Sequence, residues 1–172
     1  MSELQEVLRA IEEGRDTGER MALATVVGVR GSTYRREGAR LLVREAGKPV
    51  GTISGGCLEG DVRVTATEIM ADGVPRLLHF DLTADDEAVW GWGLGCNGVI
   101  DVFVEPAEGA IATAGAIRRA VLERRPLAVV VVTESPEGGP RPATRMLVRD
   151  DGTVEGSLGD AELDELARQE AV

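Results

Sequence analysis

A double glycine followed at once by a thiol, Gly55-Gly56-Cys57, is the segment of this sequence best suited to chemistry. It follows a β-type apolar run that ends at Ile53, and it precedes a pattern that predicts a helix over residues 58–71. Adjacent glycines let the backbone adopt positive φ and let a ligand approach closely. A helix that begins near Cys57 favours anions and thiolates at its N-terminus. The segment therefore predicts either an anion site or an exposed thiolate; the alternative is a tight turn around a small buried cysteine.

Arginines are concentrated near a second candidate segment, Gly31-Ser32-Thr33, which is predicted to be a loop. Guanidinium groups, loop N–H groups and the hydroxyls of Ser32 and Thr33 together suit a phosphate. The alternative is a strand edge whose arginines are solvated. The arginines fall within fifteen residues of an otherwise acidic chain: Arg30, Arg35, Arg36, Arg40 and Arg44.

A third glycine-rich segment, residues 93–98, has the GxGxxG spacing and contains Cys96 and Asn97. A predicted strand over residues 99–104 follows it where a dinucleotide-binding fingerprint requires a helix. We therefore expect an irregular loop that presents a thiol and an amide. Our hypothesis is that this loop, the Gly31–Thr33 loop and the Gly55–Cys57 segment converge on one cleft.

Two titratable residues have two interpretations each. His79 is the only histidine, so a His-based triad or a His-rich metal site is hard to build, and a structural role is favoured. Glu59 either stabilises the N-terminus of the helix that follows the thiol or contacts a ligand.

Composition excludes several classes of partner. A net charge of −11 and a pI of about 4.6 argue against nucleic acid and anionic lipid, and an aromatic content of 3% argues against stacking platforms for single strands. No apolar run reaches the roughly 18 residues of a membrane span, and the acidic N-terminus lacks a signal core. Two cysteines far apart in the sequence make no disulfide framework. We expect a cytoplasmic protein with no membrane and no nucleic-acid partner.

Hydrophobic periodicity predicts an α/β fold, with mixed α+β as a variant, in which helices flank a mixed sheet. Helices are predicted over residues 2–19, 58–71 and 113–125 and from 163 onward. Strands are predicted over residues 23–29, 39–44, 50–54, 77–82, 99–104, 127–132 and 145–149.

The last fifty residues resemble the early ones. Residues 127–131 match 23–27 at an offset of 104, whereas 145–149 match 40–44 and 156–159 match 51–54 at an offset of 105. This predicts two similar strand–strand–strand–helix units, about 20–72 and about 127–172. Only the first unit keeps the thiol, because Asp160-Ala161-Glu162 stands where Gly55-Gly56-Cys57 stood.

Several of these segments together resemble the XdhC/CoxI family, the accessory factors of xanthine and carbon-monoxide dehydrogenases. The resemblance covers roughly residues 20–106. Its motifs are Ala24-Thr25-Val26-Val27, Arg30-Gly31-Ser32-Thr33-Tyr34, Gly38-Ala39-Arg40-Leu41-Leu42-Val43, Gly51-Thr52-Ile53-Ser54-Gly55-Gly56-Cys57-Leu58-Glu59 and Gly93-Leu94-Gly95-Cys96-Asn97-Gly98. At the second cysteine the family commonly reads Cys-Gly-Gly, and Asn97 departs from that pattern.

The resemblance implies an accessory protein that transiently binds the molybdenum cofactor (molybdopterin) and assists its sulfuration or its insertion into a molybdenum hydroxylase. It places the cofactor-associated cysteine, a possible molybdenum contact, on Cys57. The implied partners are the client enzyme and a sulfur-donor protein, and a homodimer is a further possibility. The residues expected to bind the cofactor are Cys57, Gly55, Gly56, Glu59, Ser32, Thr33, Arg30, Arg40, Cys96 and Asn97.

Two questions stay open at this point. The alternative function is a small thiol-dependent oxidoreductase or transferase with Cys57 as nucleophile, although such thiols usually need a companion base. Family members usually carry a C-terminal dinucleotide-binding, Rossmann-like domain after this region, and residues 1–172 show no sign of it. We therefore expect a single XdhC/CoxI-like domain, either a short member of the family or the N-terminal part of a longer protein.

Overall fold

A computed structural model of the chain describes residues 2–83 and 97–171. Cys96 and the preceding glycines of the third segment lie outside the described residues, and of Asn97 only the backbone is described. The chain divides into two compact units, Met1–Ile111 and Ala112–Val172.

The first unit begins with helix α1, Glu3–Thr17, and the sequence explains both of its ends. Ser2 and Gln5 form a capping box, and Gly18 closes the helix in a left-handed conformation. Val7, Leu8 and Ile11 are buried, as the apolar stripe predicts. The predicted helix over residues 2–19 is confirmed.

Five antiparallel strands form the sheet of the first unit, in the order β3-β2-β1-β5-β4. Short connections join β1 to β2 and β2 to β3, which is why these neighbours pair as hairpins; helix α2, Glu59–Asp72, follows β3. The strands are β1 Met21–Ser32, β2 Arg40–Arg44, β3 Val50–Gly51, β4 Arg76–Asp81 and β5 Asn97–Pro106.

The main core lies between this sheet and α2. Alternate residues of β1, β2 and β5 meet the apolar face of α2, and each fully buried aliphatic side chain contributes about 1.5–3 kcal/mol. Helix α1 contacts β2 and β3, where its buried side chains cover the edge of the sheet. The buried members of the main core are Ala22, Ala24, Val26, Leu41, Val43, Ile53, Leu58, Val62, Ala66, Ile69, Ile100, Val102 and Val104.

Helix α3, Ala107–Glu123, follows β5. The second unit then has a three-stranded antiparallel sheet, β6 Leu127–Val131, β7 Arg145–Arg149 and β8 Val154–Gly156. Helix α4, Ala161–Glu170, is capped by the Asp160 side chain. A small core forms around Met146, Val148 and Leu158. The predicted α/β class is confirmed: the described residues form four helices and two antiparallel sheets.

The two units repeat the same order of elements, and the repeat extends to a helix that precedes each set of strands. Leu41 pairs with Gly51 and Met146 pairs with Gly156, so both strands are shifted by 105 residues, as predicted. The first strand is different. Arg44 pairs with Met21 and Arg149 pairs with Leu127. The structural shift of this strand is therefore 106 residues (from 21 to 127), and the predicted offset of 104 is wrong. Two long apolar strands can be aligned two residues out of register without changing which side chains face the core.

Local hydrogen bonds repeat as well. Gly38 donates its N–H to the Val26 carbonyl, and Ala143 donates to the Val132 carbonyl, each at 2.8 Å. Ion pairs join Arg20 to Glu45 in the first unit and Arg125 to Asp150 in the second, the latter at 2.6 Å. These repeated contacts belong to the scaffold that both units need.

Three predicted boundaries differ from the structure. The Gly31-Ser32-Thr33 segment is not a loop, because β1 continues through Ser32 and pairs with β5. Strand β3 ends at Gly51, whereas the prediction extended to residue 54. Helix α2 begins at Glu59, so Cys57 precedes its first turn.

Gly51→Ala should destabilise the first unit more than a backbone preference alone can. Gly51 has φ +88°, and a Cβ there would clash with the Arg40 carbonyl oxygen across the β2–β3 pair. A strained left-handed residue costs about 1–3 kcal/mol, and the clash adds to that cost. The free energy of unfolding, from denaturant titration, is the measurement.

Two control variants separate the contributions. Gly18→Ala has positive φ but open space around its Cβ, so it should show the backbone cost alone. Gly60→Ala lies inside α2 with open space and should stabilise by about 0.4–1 kcal/mol. Equal losses for Gly51→Ala and Gly18→Ala would show that the close approach to Arg40 carries no energy.

Candidate functional site

The thiol loop, residues 52–58, connects β3 to α2 and is held from below by one carboxylate. Glu59 Oε1 accepts hydrogen bonds from Thr52 Oγ1 at 2.6 Å and from the backbone N–H groups of Ile53 and Ser54 at 3.3 and 3.0 Å. The Ser54 hydroxyl donates to Glu59 Oε2. These bonds satisfy polar groups that have no partner in a strand or helix.

The same bonds control the protonation of Glu59. Burial raises the pKa of Glu59, but hydrogen bonds from Ser54, Thr52 and backbone N–H groups outweigh burial and leave the pKa below its ordinary value. Glu59 is therefore an ionised anchor of the loop at neutral pH. Of the two interpretations from sequence, neither a simple helix-end charge nor a ligand contact describes these bonds.

Ser54 extends the support to the glycines. Its side chain is buried, and its Oγ accepts hydrogen bonds from the N–H groups of Gly56 at 3.0 Å and Leu58 at 3.2 Å. Gly56 has φ +113° and open space where a Cβ would stand. A ligand can therefore come close to the backbone at Gly56.

Cys57 is half-buried and packs against the margin of the main core. It stands before the first turn of α2, whose N-cap position, Leu58, makes no side-chain cap bond. The prediction of a thiol within the first helical turn is therefore wrong. In the second unit, α4 begins three positions earlier in the repeat, at Ala161, because Asp160 caps it. The first unit replaces that helical turn with an open loop that contains the thiol.

Tyr34 is a neighbour of the thiol loop that the sequence analysis missed. Its ring is 71% exposed, and a Cβ on Gly55 would lie 3.6 Å from its Cγ. An aromatic ring this exposed is unusual for a structural residue. The signal was available, because Tyr34 is the only tyrosine in the chain.

The start of β5 lies beside the residues that precede Tyr34. Ser32 is paired in register with Asn97. A Cβ on Gly98 would lie 2.9 Å from Thr33 Cγ2, so only glycine fits there. The Thr33 hydroxyl donates to the Arg35 carbonyl at 2.7 Å. The structure thus brings Ser32, Thr33 and the Asn97 backbone together, and Tyr34 connects this group to Gly55.

The predicted arginine cluster is divided among different neighbours. Arg44 pairs with Glu19 at 2.5 Å and Arg30 with Asp101 at 3.6 Å. Arg35, Arg36 and Arg40 instead line a cavity of about 380 Å³ beside α1, which we call the arginine cavity. Its other lining residues are Glu3, Leu4, Val7, Tyr34, Glu37, Gly38 and Ala39.

His79 has a partner away from the thiol loop. Its Nδ1 lies 2.6 Å from Asp101 Oδ1. Asp101 alternates with Ile100 and Val102, which belong to the main core. His79 and Asp101 therefore lie on the sheet face opposite to the α2 side, in keeping with the structural role favoured for His79.

Glu59→Gln should loosen the thiol loop while preserving its shape. Hydrogen bonds to a charged group are worth about 1.5–3 kcal/mol, so we expect a loss of about 2 kcal/mol in the free energy of unfolding. The folded pKa of Glu59 is lowered. Its stabilisation is therefore present above pH 4.5 and is lost as the pH falls through the folded value. Unfolding titrations of both proteins between pH 3 and pH 7 measure both effects.

The control for this variant is Glu68→Gln, on the exposed side of the same helix. It should change stability by less than about 0.5 kcal/mol. A Glu59→Gln protein as stable as this control at pH 7 would contradict the anchoring role of Glu59.

The comparison with known proteins agrees with this architecture. Over 87 residues, or 51% of the chain, it is 40% identical to a protein of Bacillus subtilis named as a probable xanthine dehydrogenase subunit, and the match spans 26% of that relative. Over 74 residues, or 43% of the chain, it is 36% identical to "Molybdenum cofactor insertion chaperone PaoD" of Escherichia coli, and spans 23% of that protein. A crystal structure of a xanthine dehydrogenase from Bacillus halodurans matches 91% of the chain at 30% identity with a TM-score of 0.69, and the chain spans 45% of it.

Two kinds of feature are absent from the described residues. No helix formed by residues 2–83 and 97–171 has the length and apolar character needed to cross a bilayer. Within the same part of the chain, no group of three or more His, Cys, Asp or Glu side chains is arranged to hold a metal ion.

The profile of the XdhC and CoxI family matches residues 14–81 and 120–172, which together are well over half of the chain. The first of these segments includes β1, the thiol loop and Tyr34, and the second includes the strands of the second unit. The chain therefore belongs to the XdhC and CoxI family.

Proposed function

We propose that this chain holds the molybdenum cofactor and takes part in its insertion into a xanthine-dehydrogenase-type molybdenum hydroxylase. The observation that carries the proposal is the thiol loop: a half-buried cysteine beside an open glycine, on a loop fixed by Glu59, in one unit of a repeat whose other unit lacks all three features. Family membership and the printed names of the relatives support it. The chain spans about a quarter of the curated relatives, so the role of a whole protein is part of the proposal.

The residues on this side of the first unit fit the chemical parts of the cofactor. Cys57 offers a soft ligand, which suits molybdenum or a sulfur atom in transit. Gly55 and Gly56 permit close backbone approach, and the arginine cavity offers cations for a phosphate. When bound, the cofactor supplies the redox-active metal centre of the client enzyme.

Within this role, each part of the loop has its own task. Glu59 and Ser54 hold the loop so that Cys57 is presented in one position, which limits the entropy lost when a ligand binds. Sulfuration with a sulfur-donor protein is a second step that a thiol at this position suits. Cys96 and the Asn97 side chain stay predicted members of the site.

The alternative function, catalysis with Cys57 as nucleophile, gains no support from the described residues. His79 is bound to Asp101 on the other sheet face, and the Glu59 carboxylate is occupied by the loop that it anchors. A nucleophilic thiol requires a nearby base or another activating group. The two functions differ in turnover, since a carrier binds and releases its ligand unchanged.

Cys57→Ala should lower retention of the molybdenum cofactor by about tenfold or more. Loss of even an indirect partner of a metal ligand costs about 10–100-fold in affinity, and Cys57 is proposed as a direct contact. Folding should change little, because the side chain is small and only half-buried. Cofactor occupancy after gel filtration, and activation of a cofactor-free client enzyme, are the measurements.

Two further variants define the result. Cys57→Ser keeps the size of the side chain and removes the soft sulfur, so it should behave like Cys57→Ala. Cys96→Ala should have a smaller effect. If Cys57→Ala binds and delivers cofactor as well as the parent does, the thiol is structural and the proposed role of Cys57 is wrong.

A further inference from the structure

The arginine cavity contains two guanidinium groups that the described part of the protein does not neutralise. Arg35 is neutralised, because its Nη2 lies 2.5 Å from Glu3 Oε1. Arg36 is exposed, and neither it nor Arg40 forms an ion pair with any side chain among residues 2–83 and 97–171. Glu37 is the remaining acid in the lining. The cavity is therefore cationic in a chain whose net charge is −11.

Arg40 is the more constrained of the two. It is half-buried on β2, and its Nη1 donates to the Gly38 carbonyl at 3.0 Å. Burial lowers the pKa of Arg40, and the charge of Glu105 raises it only in part. A partly desolvated cation without an ion-pair partner is unfavourable unless an anion compensates it.

The cavity and the thiol loop are connected through shared residues. Glu3, which binds Arg35, also accepts a hydrogen bond from the Thr52 N–H at 3.4 Å, and Thr52 donates to Glu59. Tyr34 lines the cavity and contacts Gly55 of the loop. A ligand that fills the cavity therefore has the Tyr34 ring and the thiol loop next to it.

We propose that the arginine cavity is a phosphomonoester site, in which Arg36 and Arg40 bind the terminal phosphate of the cofactor while Tyr34 separates that phosphate from the thiol loop. The identity of the phosphomonoester rests on the proposed function. Planar guanidinium groups match phosphate oxygens in pairs. A cavity of about 380 Å³ is within the range of small-molecule sites and exceeds what one phosphate needs, so part of the ligand body fits as well.

The repeat supports a role for the cavity beyond the scaffold. Arg145 occupies the position of Arg40 in the second unit, and its Nε donates to the Ala143 carbonyl at 3.3 Å, as Arg40 does to Gly38. The bond to that carbonyl is therefore structural in both units. Tyr34 and Arg35, in contrast, are replaced at the corresponding positions by Gly139 and Pro140. The first unit alone has these two lining residues.

The first test uses inorganic phosphate and does not depend on the cofactor. Amide resonances of Gly38 and Ala39, followed by 15N-edited NMR at constant ionic strength, should shift saturably as phosphate replaces chloride. Arg36→Gln and Arg40→Gln should each weaken this binding by about tenfold, the effect of losing one charge-assisted contact. Arg145→Gln is the matched control and should leave it unchanged. Arg36 is exposed, so its variant tests the site even if Arg40→Gln unfolds. Shifts that do not saturate, or that persist unchanged in Arg36→Gln, would overturn the inference.

The second test compares the cofactor with its phosphatase-treated form. The parent should bind the treated form about tenfold or more weakly, and Arg36→Gln should reduce binding of the intact form only. Equal losses for both forms would overturn the assignment of the phosphate to Arg36. If the parent retains neither form but still binds phosphate in the cavity, the proposed function fails and the phosphomonoester site stands.

Discussion

The Glu59 carboxylate is the interaction on which the thiol loop depends. It accepts hydrogen bonds from two hydroxyls and two backbone N–H groups of residues 52–54, which lie between a strand that ends early and a helix that begins late. Without an acceptor at this position, those donors would be partly buried and unpaired, at a cost of about 1–3 kcal/mol each. Ser54 passes the constraint on to the N–H groups of Gly56 and Leu58. One ionised side chain thus fixes the backbone on both sides of Cys57.

The second unit shows which features of this arrangement belong to the scaffold. Asp164 occupies the position of Glu59 and accepts hydrogen bonds from the Leu158 N–H at 2.6 Å and the Ser157 hydroxyl at 2.7 Å. A carboxylate under this loop is therefore a requirement of the fold in both units. The glycine pair and the thiol are not, because the second unit builds a capped helical turn from the same positions. Conformational freedom was kept in the first unit where a regular helix was available, and the fold alone gives no reason for it.

Much of the fold could be predicted from the sequence, and the errors have physical causes. The capping residue and stripe of α1, the three-strand order and the 105-residue repeat all follow from local patterns. Gly31-Ser32 looked like a loop because glycine and serine favour turns, but pairing with Asn97 and Gly98 extends β1 through them. The start of α2 was placed too early, since the hydrogen bonds between Ser54, Glu59 and the loop compete with the first helical turn. Such side-chain bonds leave no periodic signal.

The site was harder to predict than the fold, because its members are related by pairing across strands and not by spacing. The five arginines are close in sequence, yet alternation along β1 and β2 and separate acids send them to different surroundings. Tyr34 is brought to Gly55 across twenty-one positions by the β1–β2–β3 hairpins. Glu3, at the first turn of α1, reaches both Arg35 and Thr52. An N-terminal helix that appears from sequence to be only a support therefore connects the arginine cavity to the anchor of the thiol loop. A change at one of these two places is thereby felt at the other through three hydrogen-bonded side chains.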